Sequence, residues 1–342
     1  MTVLPLRPIT GAHRAATRPA RGATGTTGAH RAVAPAVADT PTLAERLERA
    51  LGSQYKVVRA LGAGGYGEVF LVRDLLLHRV LAVKVLRERL AADPQERERF
   101  RREARTVAHL SHPGIVPVLA YGETDEEHPL CWTMMPCASG GSLATRLTFN
   151  GRLQPVVAAR MLVQLCDALA HAHRQGVVHC DLKPDNVLFA SGDERPLLTD
   201  FGIAALPHHD RGIGAALDVG GTPAWMAPEQ RLGLGVLDAR SDVYALGMLG
   251  WVMLAARLPE RTISGRIDRS SMPADVPRAL VDVLARALER EPDARWDGAP
   301  AMATALERAA RPAWRRRAAT ACDATAAFVR RARRFVRRLR VA

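Results

Sequence analysis

The chain has little of several things that often announce a class of protein. Its 342 residues hold five cysteines, Cys131, Cys137, Cys166, Cys180 and Cys322, and no two form a CxxC pair. An odd, scattered set excludes a disulfide framework, argues against a structural metal centre and suits a reducing compartment. Long apolar runs are also lacking. The longest uncharged one, Val243 to Ala256, has 14 residues, where a membrane span needs about 20, so it reads as a buried helix. Met1 to Ile9 is broken by two prolines and has no apolar core of the signal-peptide kind. The expected location is therefore cytoplasmic. Acids are scarce at both ends: residues 1–38 carry five arginines and no acid, and 311–342 carry eleven arginines against Asp323. These segments contribute +5 and +10 to a formal charge of +13, which leaves −2 for residues 39–310. A polyanionic partner would belong to the ends, not to the near-neutral middle.

What is present reads as globular, with 48% hydrophobic and 24% charged residues. Residues 1–41 are Ala, Thr, Gly, Pro and Arg with no apolar period, and are expected to be disordered. The segment TGAHRA occurs twice there, at Thr10–Ala15 and Thr27–Ala32, and reads as duplication within low-complexity sequence. A short helical lead-in covers 42–54. Alternation then predicts a strand at Tyr55–Leu61, and after a glycine-rich turn Glu68–Arg73 and Val80–Leu86 read as two more. Asp93-Pro94-Gln95-Glu96 is a helix start, with Asp93 as cap and Pro94 in the first turn. That helix runs through Phe100, Glu103 and Val107 until His112-Pro113-Gly114. From Pro155 the pattern turns helical.

Chemistry gathers in a few segments. LGAGGYGEVF, Leu61 to Phe70, holds Gly62, Gly64 and Gly67 in a GxGxxGxV pattern with Val69. Glycines let a turn approach phosphate oxygens and offer N–H donors. A dinucleotide fold would follow such a turn with a helix, whereas a strand follows here, making a hairpin flap. Further on, Ala82-Val83-Lys84 sets a lysine in an apolar strand, where a lone ammonium is costly and a partner is required. Glu103 is the natural candidate, although alone, beside Arg101, Arg102 and Arg105, it reads as an ordinary solvated charge. Then come His179-Cys180-Asp181-Leu182-Lys183-Pro184-Asp185-Asn186, Asp200-Phe201-Gly202 and Ala227-Pro228-Glu229.

In order and spacing, these five motifs resemble the eukaryotic-type serine/threonine protein kinases, in a compact, bacterial-like form, over about residues 55–310. The resemblance implies an α+β, two-lobed protein kinase fold: a small antiparallel β-sheet lobe with one main helix, about 55–138, and a larger helical lobe, about 139–310. It implies ATP and Mg²⁺ as cofactors, with Mn²⁺ as a substitute, and proteins as substrates. Lys84, held by Glu103, would grip the α- and β-phosphates, and Asn186 and Asp200 would hold the metal. Asp181 would be the catalytic base, with Lys183 beside the γ-phosphoryl group. Leu61, Val69, Ala82 and Leu188 would enclose the adenine, with Met135 as gatekeeper. Pro136 would lend only a carbonyl, and Ala138 its backbone. Thr222 would line the substrate groove. His179, Phe201, Glu229, Asp242 and Arg295 would give structural support.

The sequence departs from the family at Cys180, where most members carry an arginine that pairs with a phosphorylated activation segment. Between Asp200 and Glu229 the one hydroxyl residue is Thr222, which is needed in the groove. With no phosphosite the arginine has nothing to bind, so the two departures explain each other, and activity is expected without phosphorylation of the segment. Asp181 next door should raise the thiol pKa, which argues against a redox sensor. The alternative to an active enzyme is a pseudokinase scaffold; a small-molecule phosphotransferase is opposed by the complete Gly221–Glu229 segment. In the tail, 311–342, Phe328, Val329, Ala332, Phe335, Val336 and Leu339 form a helical stripe among arginines. That pattern suits an anionic membrane surface, with peripheral attachment at the inner face, or docking on the kinase core. Nucleic acid is not expected as a partner.

Overall fold

The computed structural model describes residues 41–124, 127–201, 223–233 and 237–310. The expectations for 1–40, for Gly202 and Thr222, and for the tail 311–342 lie outside these described residues.

The described chain opens with helix α1, Leu43–Leu51. A reciprocal cap starts it: Thr42 Oγ1 accepts the Glu45 N–H at 3.3 Å while Glu45 accepts the Thr42 N–H at 2.8 Å. Gly52, at φ 81°, ends it. Five antiparallel strands follow in the order β1-β2-β3-β5-β4: β1 Tyr55–Ala63, β2 Gly67–Asp74, β3 Arg79–Leu86, β4 Ala120–Glu123 and β5 Cys131–Pro136. Side chains alternate across a strand, so Phe70, Val72, Leu81, Val83 and Val85 share one buried face, on which α1 lays the fully buried Leu47. The opposite face carries Val69, Ala82, Lys84 and Met135, because Val69 pairs with Lys84 and Ala82 with Met135 in the register. Between β3 and β4 lie α2, Glu88–Ala91, and α3, Pro94–Ala108, the latter capped by Asp93, which accepts the Gln95 N–H at 2.8 Å.

After α3 the chain crosses to the second half. The Val116 N–H donates to the Leu198 carbonyl and the Leu198 N–H to Gly114, at 2.9 and 2.8 Å. There, α4, Leu143–Asn150, and α5, Pro155–Arg174, precede a small hairpin of β6, Val187–Phe189, and β7, Pro196–Leu198. The apolar run Val243–Ala256 lies almost wholly within the helix Ala239–Ala255, buried over most of its length. Gly250 lets its neighbours in: a Cβ there would lie 2.6 Å from Leu284 and 2.9 Å from Leu162. Helices Arg278–Ala287 and 299–310 complete this core. Among the described residues no helix is long and apolar enough to cross a membrane. The small sheet with one main helix, followed by a helical half, is the two-lobed α+β arrangement expected.

Candidate active site

The glycine-rich turn joins β1 to β2. Its Gly64 N–H donates to the Gly67 carbonyl at 2.8 Å, and Arg87, just past β3, ties it down through the Gly64 carbonyl (2.7 Å) and the Tyr66 carbonyl (2.9 Å). A Cβ at Gly67 would lie 2.1 Å from the Val85 carbonyl oxygen, so packing demands glycine there. At Gly62 and Gly64 a Cβ would meet nothing within 4 Å. Packing within the chain does not require glycine at those two positions, whereas close approach of something from outside would. Tyr66 was not singled out by sequence. Its hydroxyl is held above the usual range by burial and then by the charges of Glu96, Glu103 and Asp181, against Arg99.

Lys84 lies on the sheet face that looks away from α1. Its Nζ is 2.7 Å from Asp200 Oδ1, and no direct ion pair with Glu103 is formed among the described residues. In this structure Lys84 pairs with Asp200, while Glu103, the partner expected, lines the same cavity. Asp200 adopts φ 55°, a left-handed conformation, and its carboxylate sits within hydrogen-bond reach of Lys84. Burial works against the Lys84 charge, but Asp200 and then Glu103 outweigh it and raise its pKa. Glu103 is pushed up to about 7, chiefly by burial, with Lys84 opposing. Asp200 stays below the ordinary carboxylate range, since Lys84 overcomes the burial that would raise it. A cavity of about 30 Å³ joins Lys84, Glu103, Met135, Asp200 and Phe201.

The chain from Met135 onward is fixed from below. The Gly140 N–H donates to the Phe189 carbonyl at 2.8 Å, the Phe189 N–H returns to Gly141 at 3.0 Å, and Ser142 bridges to Leu188. A Cβ at Gly140 would lie 2.4 Å from the Ala190 oxygen. Ser142 then caps α4 by accepting the Thr145 N–H at 3.2 Å, and Leu143 is fully buried. This stitching holds Pro136 and Ala138 between β5 and β6. Leu188 and Val69 are partly exposed, Leu61 is exposed, and Ala82 is buried.

The loop His179–Asn186 is built around two carboxylates. Buried Asp242 accepts the His179 N–H at 2.8 Å and the Cys180 N–H at 2.9 Å, and lies 2.7 Å from His173 Nε2. Cys180 is held at φ 61°. Asp181 lies between Lys183 Nζ, 2.8 Å from its Oδ2, and Asn186 Nδ2, 3.0 Å from the same oxygen. Two bonds join this loop to the Asp200 segment: His179 Nε2 meets the Thr199 carbonyl at 3.1 Å, and the Thr199 N–H donates to Asn186 at 3.1 Å. The His179 and Phe201 rings stack with centroids 4.5 Å apart. Farther out, fully buried Arg295 forks onto both Glu229 oxygens at 2.7 Å. His173 and Gln230, whose Nε2 donates to the Cys180 carbonyl at 2.9 Å, had no local signal, because their partners are far away in sequence.

A flap of glycines over a sheet, a strand lysine paired with an aspartate, and an aspartate–lysine–asparagine loop beneath them make up a protein kinase site on a protein kinase fold. The chain belongs to that family: residues 55–305 match the protein kinase domain. It is 36% identical over 271 residues to the serine/threonine-protein kinase PknB of Mycolicibacterium smegmatis, covering 75% of this chain and 43% of that protein. It is 33% identical over 264 residues to PrkC of Bacillus subtilis, covering 74% and 40%. The solved kinase domain of PknI from Mycobacterium tuberculosis aligns with a TM-score of 0.60 and 32% identity, over 75% of this chain and 96% of that one. The chain spans less than half the length of these curated relatives. These relatives are bacterial kinases of the serine/threonine type.

Proposed function

We propose that this chain is an active enzyme that transfers the γ-phosphoryl group of ATP to serine and threonine hydroxyls of proteins. The observation that carries the reading is the convergence of Lys84, Asp181, Lys183, Asn186 and Asp200 from separate segments, joined by the two bonds through Thr199. Gly62, Gly64 and Gly67 admit the phosphates beneath the flap, and Leu61, Val69, Ala82 and Leu188 enclose the adenine. Ala138 offers its backbone, and Pro136 sits where only a carbonyl is needed. Lys84 neutralises the α- and β-phosphates. Asn186 spends its Nδ2 on Asp181, and Asp200 one oxygen on Lys84; each keeps a hard oxygen of the kind Mg²⁺ or Mn²⁺ takes. The metal, when bound, neutralises charge on the transferring phosphates. Asp181, held by Lys183 and Asn186, orients the acceptor hydroxyl and takes its proton, and Thr222 lines the groove.

Labelled ATP and Mg²⁺ test this directly. Turnover should fall by about a hundredfold or more in Asp181→Asn. Near-normal turnover in the folded variant would refute the assignment, and nucleotide binding without turnover in the wild type would favour the pseudokinase alternative. Activity should also survive phosphatase treatment, since Cys180 cannot receive a phosphate. A large loss traced to a site between Asp200 and Glu229 would overturn that part. For the Arg-rich tail we favour an anionic membrane surface: sedimentation with acidic vesicles should vanish on deleting residues 326–342, and equal binding by the truncated chain would refute it.

A further inference from the structure

Helix α3 carries Glu103 into the site, yet its grip on the sheet is thin. Of its 15 residues only Phe100, Ala104 and Val107 are buried. Apolar contact is non-directional, so one narrow stripe resists lifting better than rolling or sliding. Directional contacts beside the stripe must fix the rest.

Those contacts converge on Glu123, the last residue of β4. Its Oε2 accepts Arg101 Nη2 and the Tyr121 hydroxyl, both at 2.7 Å, and its Oε1 lies 3.3 Å from Arg97 Nε. Arg97 and Arg101 are one turn apart on α3, so a single carboxylate holds two points along the helix. The same carboxylate fixes Tyr121, whose ring meets Phe100 of the buried stripe at a centroid distance of 6.0 Å. Arg97 carries the network onward, donating from Nη1 to the carbonyls of Ala91 and Ala92 at 2.7 and 3.4 Å, at the end of α2. From there Glu88 of α2 pairs with Arg46 of α1 at 3.3 Å. With 19% of its side chain exposed, Glu123 is mostly covered. Arg101 and then Tyr121 hold its carboxyl below the ordinary range, which keeps it charged. It does not line the cavity around Lys84.

We infer that Glu123 is a positioning residue: by tying Arg97 and Arg101 to β4 it sets where α3 lies, and so how near Glu103 comes to Lys84. The inference rests on the kinase reading above, in which Lys84 needs a carboxylate partner on α3 during turnover. Glu103 already bears on the Lys84 charge from the shared cavity without pairing to it, so a modest displacement of α3 decides whether the pair forms.

The test uses the full chain with Glu123→Gln, Glu123→Asp, Glu103→Gln and the Glu103→Gln/Glu123→Gln double variant. Glu123→Gln should lower kcat/KM for ATP by about ten- to a hundredfold, as misplacement on the ångström scale does, and Glu123→Asp should recover part of the loss. In the Glu103→Gln background the same change should cost less than about twofold, because both variants disable one device. Multiplicative losses would mean that Glu123 merely stabilises the fold, and would overturn the inference. Amide hydrogen exchange over residues 94–108, measured without nucleotide, should quicken in Glu123→Gln while Pro155–Arg174 is unchanged. This readout does not need turnover. An inactive wild type would sink the kinase reading and leave exchange to decide whether Glu123 fixes α3. An active wild type with unaltered exchange in the variant would overturn the positioning role alone. Should Glu123→Gln not fold, Arg101→Met, which spares the carboxylate, carries the same expectations for exchange and for the double variant with Glu103→Gln.

Discussion

Replacing Asp242 by asparagine is the sharpest probe of how the loop His179–Asn186 is held. The wild-type carboxylate is 1% exposed and accepts two main-chain N–H groups, from His179 and Cys180, as well as facing His173. Asparagine offers one oxygen and one NH₂ group. Whichever way the amide turns, one N–H donor meets another donor, and a buried N–H is left unsatisfied, at a cost of about 1–3 kcal/mol. The surviving bonds also lose their charge assistance, worth roughly 1 kcal/mol more. A loss of about 2–4 kcal/mol is a large part of the 5–15 kcal/mol typical of a domain. The effect should reach catalysis too. Cys180 sits at φ 61°, a region that costs a side-chain-bearing residue about 1–2 kcal/mol, and the bond from its N–H to Asp242 helps to hold it there. Once released, the loop relaxes and the Asp181 carboxylate moves away from Lys183 and Asn186. Urea unfolding of Asp242→Asn should show a lower midpoint at unchanged slope, with kcat reduced about tenfold or more. A stability loss of less than about 0.5 kcal/mol together with an unchanged kcat would refute the reasoning.

Glu103, pushed up to about 7 from an ordinary 4.5, keeps its proton in the folded chain where the unfolded chain has lost it. Its contribution is therefore full below about pH 4.5 and declines until about pH 7; Glu103→Gln should flatten that slope, and identical slopes in urea titrations would contradict it. Cys180 and Cys137 are both partly exposed, but burial and then Asp242 and Asp181 push the Cys180 thiol well above its usual value. Iodoacetamide at neutral pH should label Cys137 before Cys180, and faster labelling of Cys180 by mass spectrometry would overturn the description of its surroundings. Leu47, fully buried although it precedes the matched family span, should cost about 2–5 kcal/mol when changed to alanine; a melting temperature unchanged from wild type would show that α1 is dispensable.

The parts of this protein legible in its sequence are those whose cause is local. Alternation along Tyr55–Leu61 located β1, the glycine-rich turn set off β2 and β3 after it, and Asp93-Pro94 announced α3 because a cap and a pre-set φ are properties of adjacent residues. The motif residues could be listed without the fold, since their order and spacing resemble the protein kinase family. The choice of partner was hidden. Sequence shows that Lys84 needs a carboxylate, but three acids stand near it, and in the folded chain it pairs with the one 116 residues away. His173 reaches Asp242 across 69 residues and Gln230 reaches Cys180 across 50. Neither spacing belongs to any helix or strand period, so only the folded chain reveals them.

Cys180 shows how such contacts change the meaning of a substitution. A neutral thiol where relatives of this fold commonly carry a guanidinium suggests, on side chains alone, a weakened loop. The loop is held through the main chain instead. The Cys180 N–H ends on Asp242, its carbonyl receives Gln230, and its neighbour His179 is bonded at N–H and ring. None of these bonds uses the side chain at 180, so the geometry around Asp181 does not depend on what that side chain is. A cation there would add charge near Asp181 and Asp242, and that charge is useful only if a phosphate arrives to share it. A small, neutral residue leaves the shape of the loop to Asp242 and Gln230.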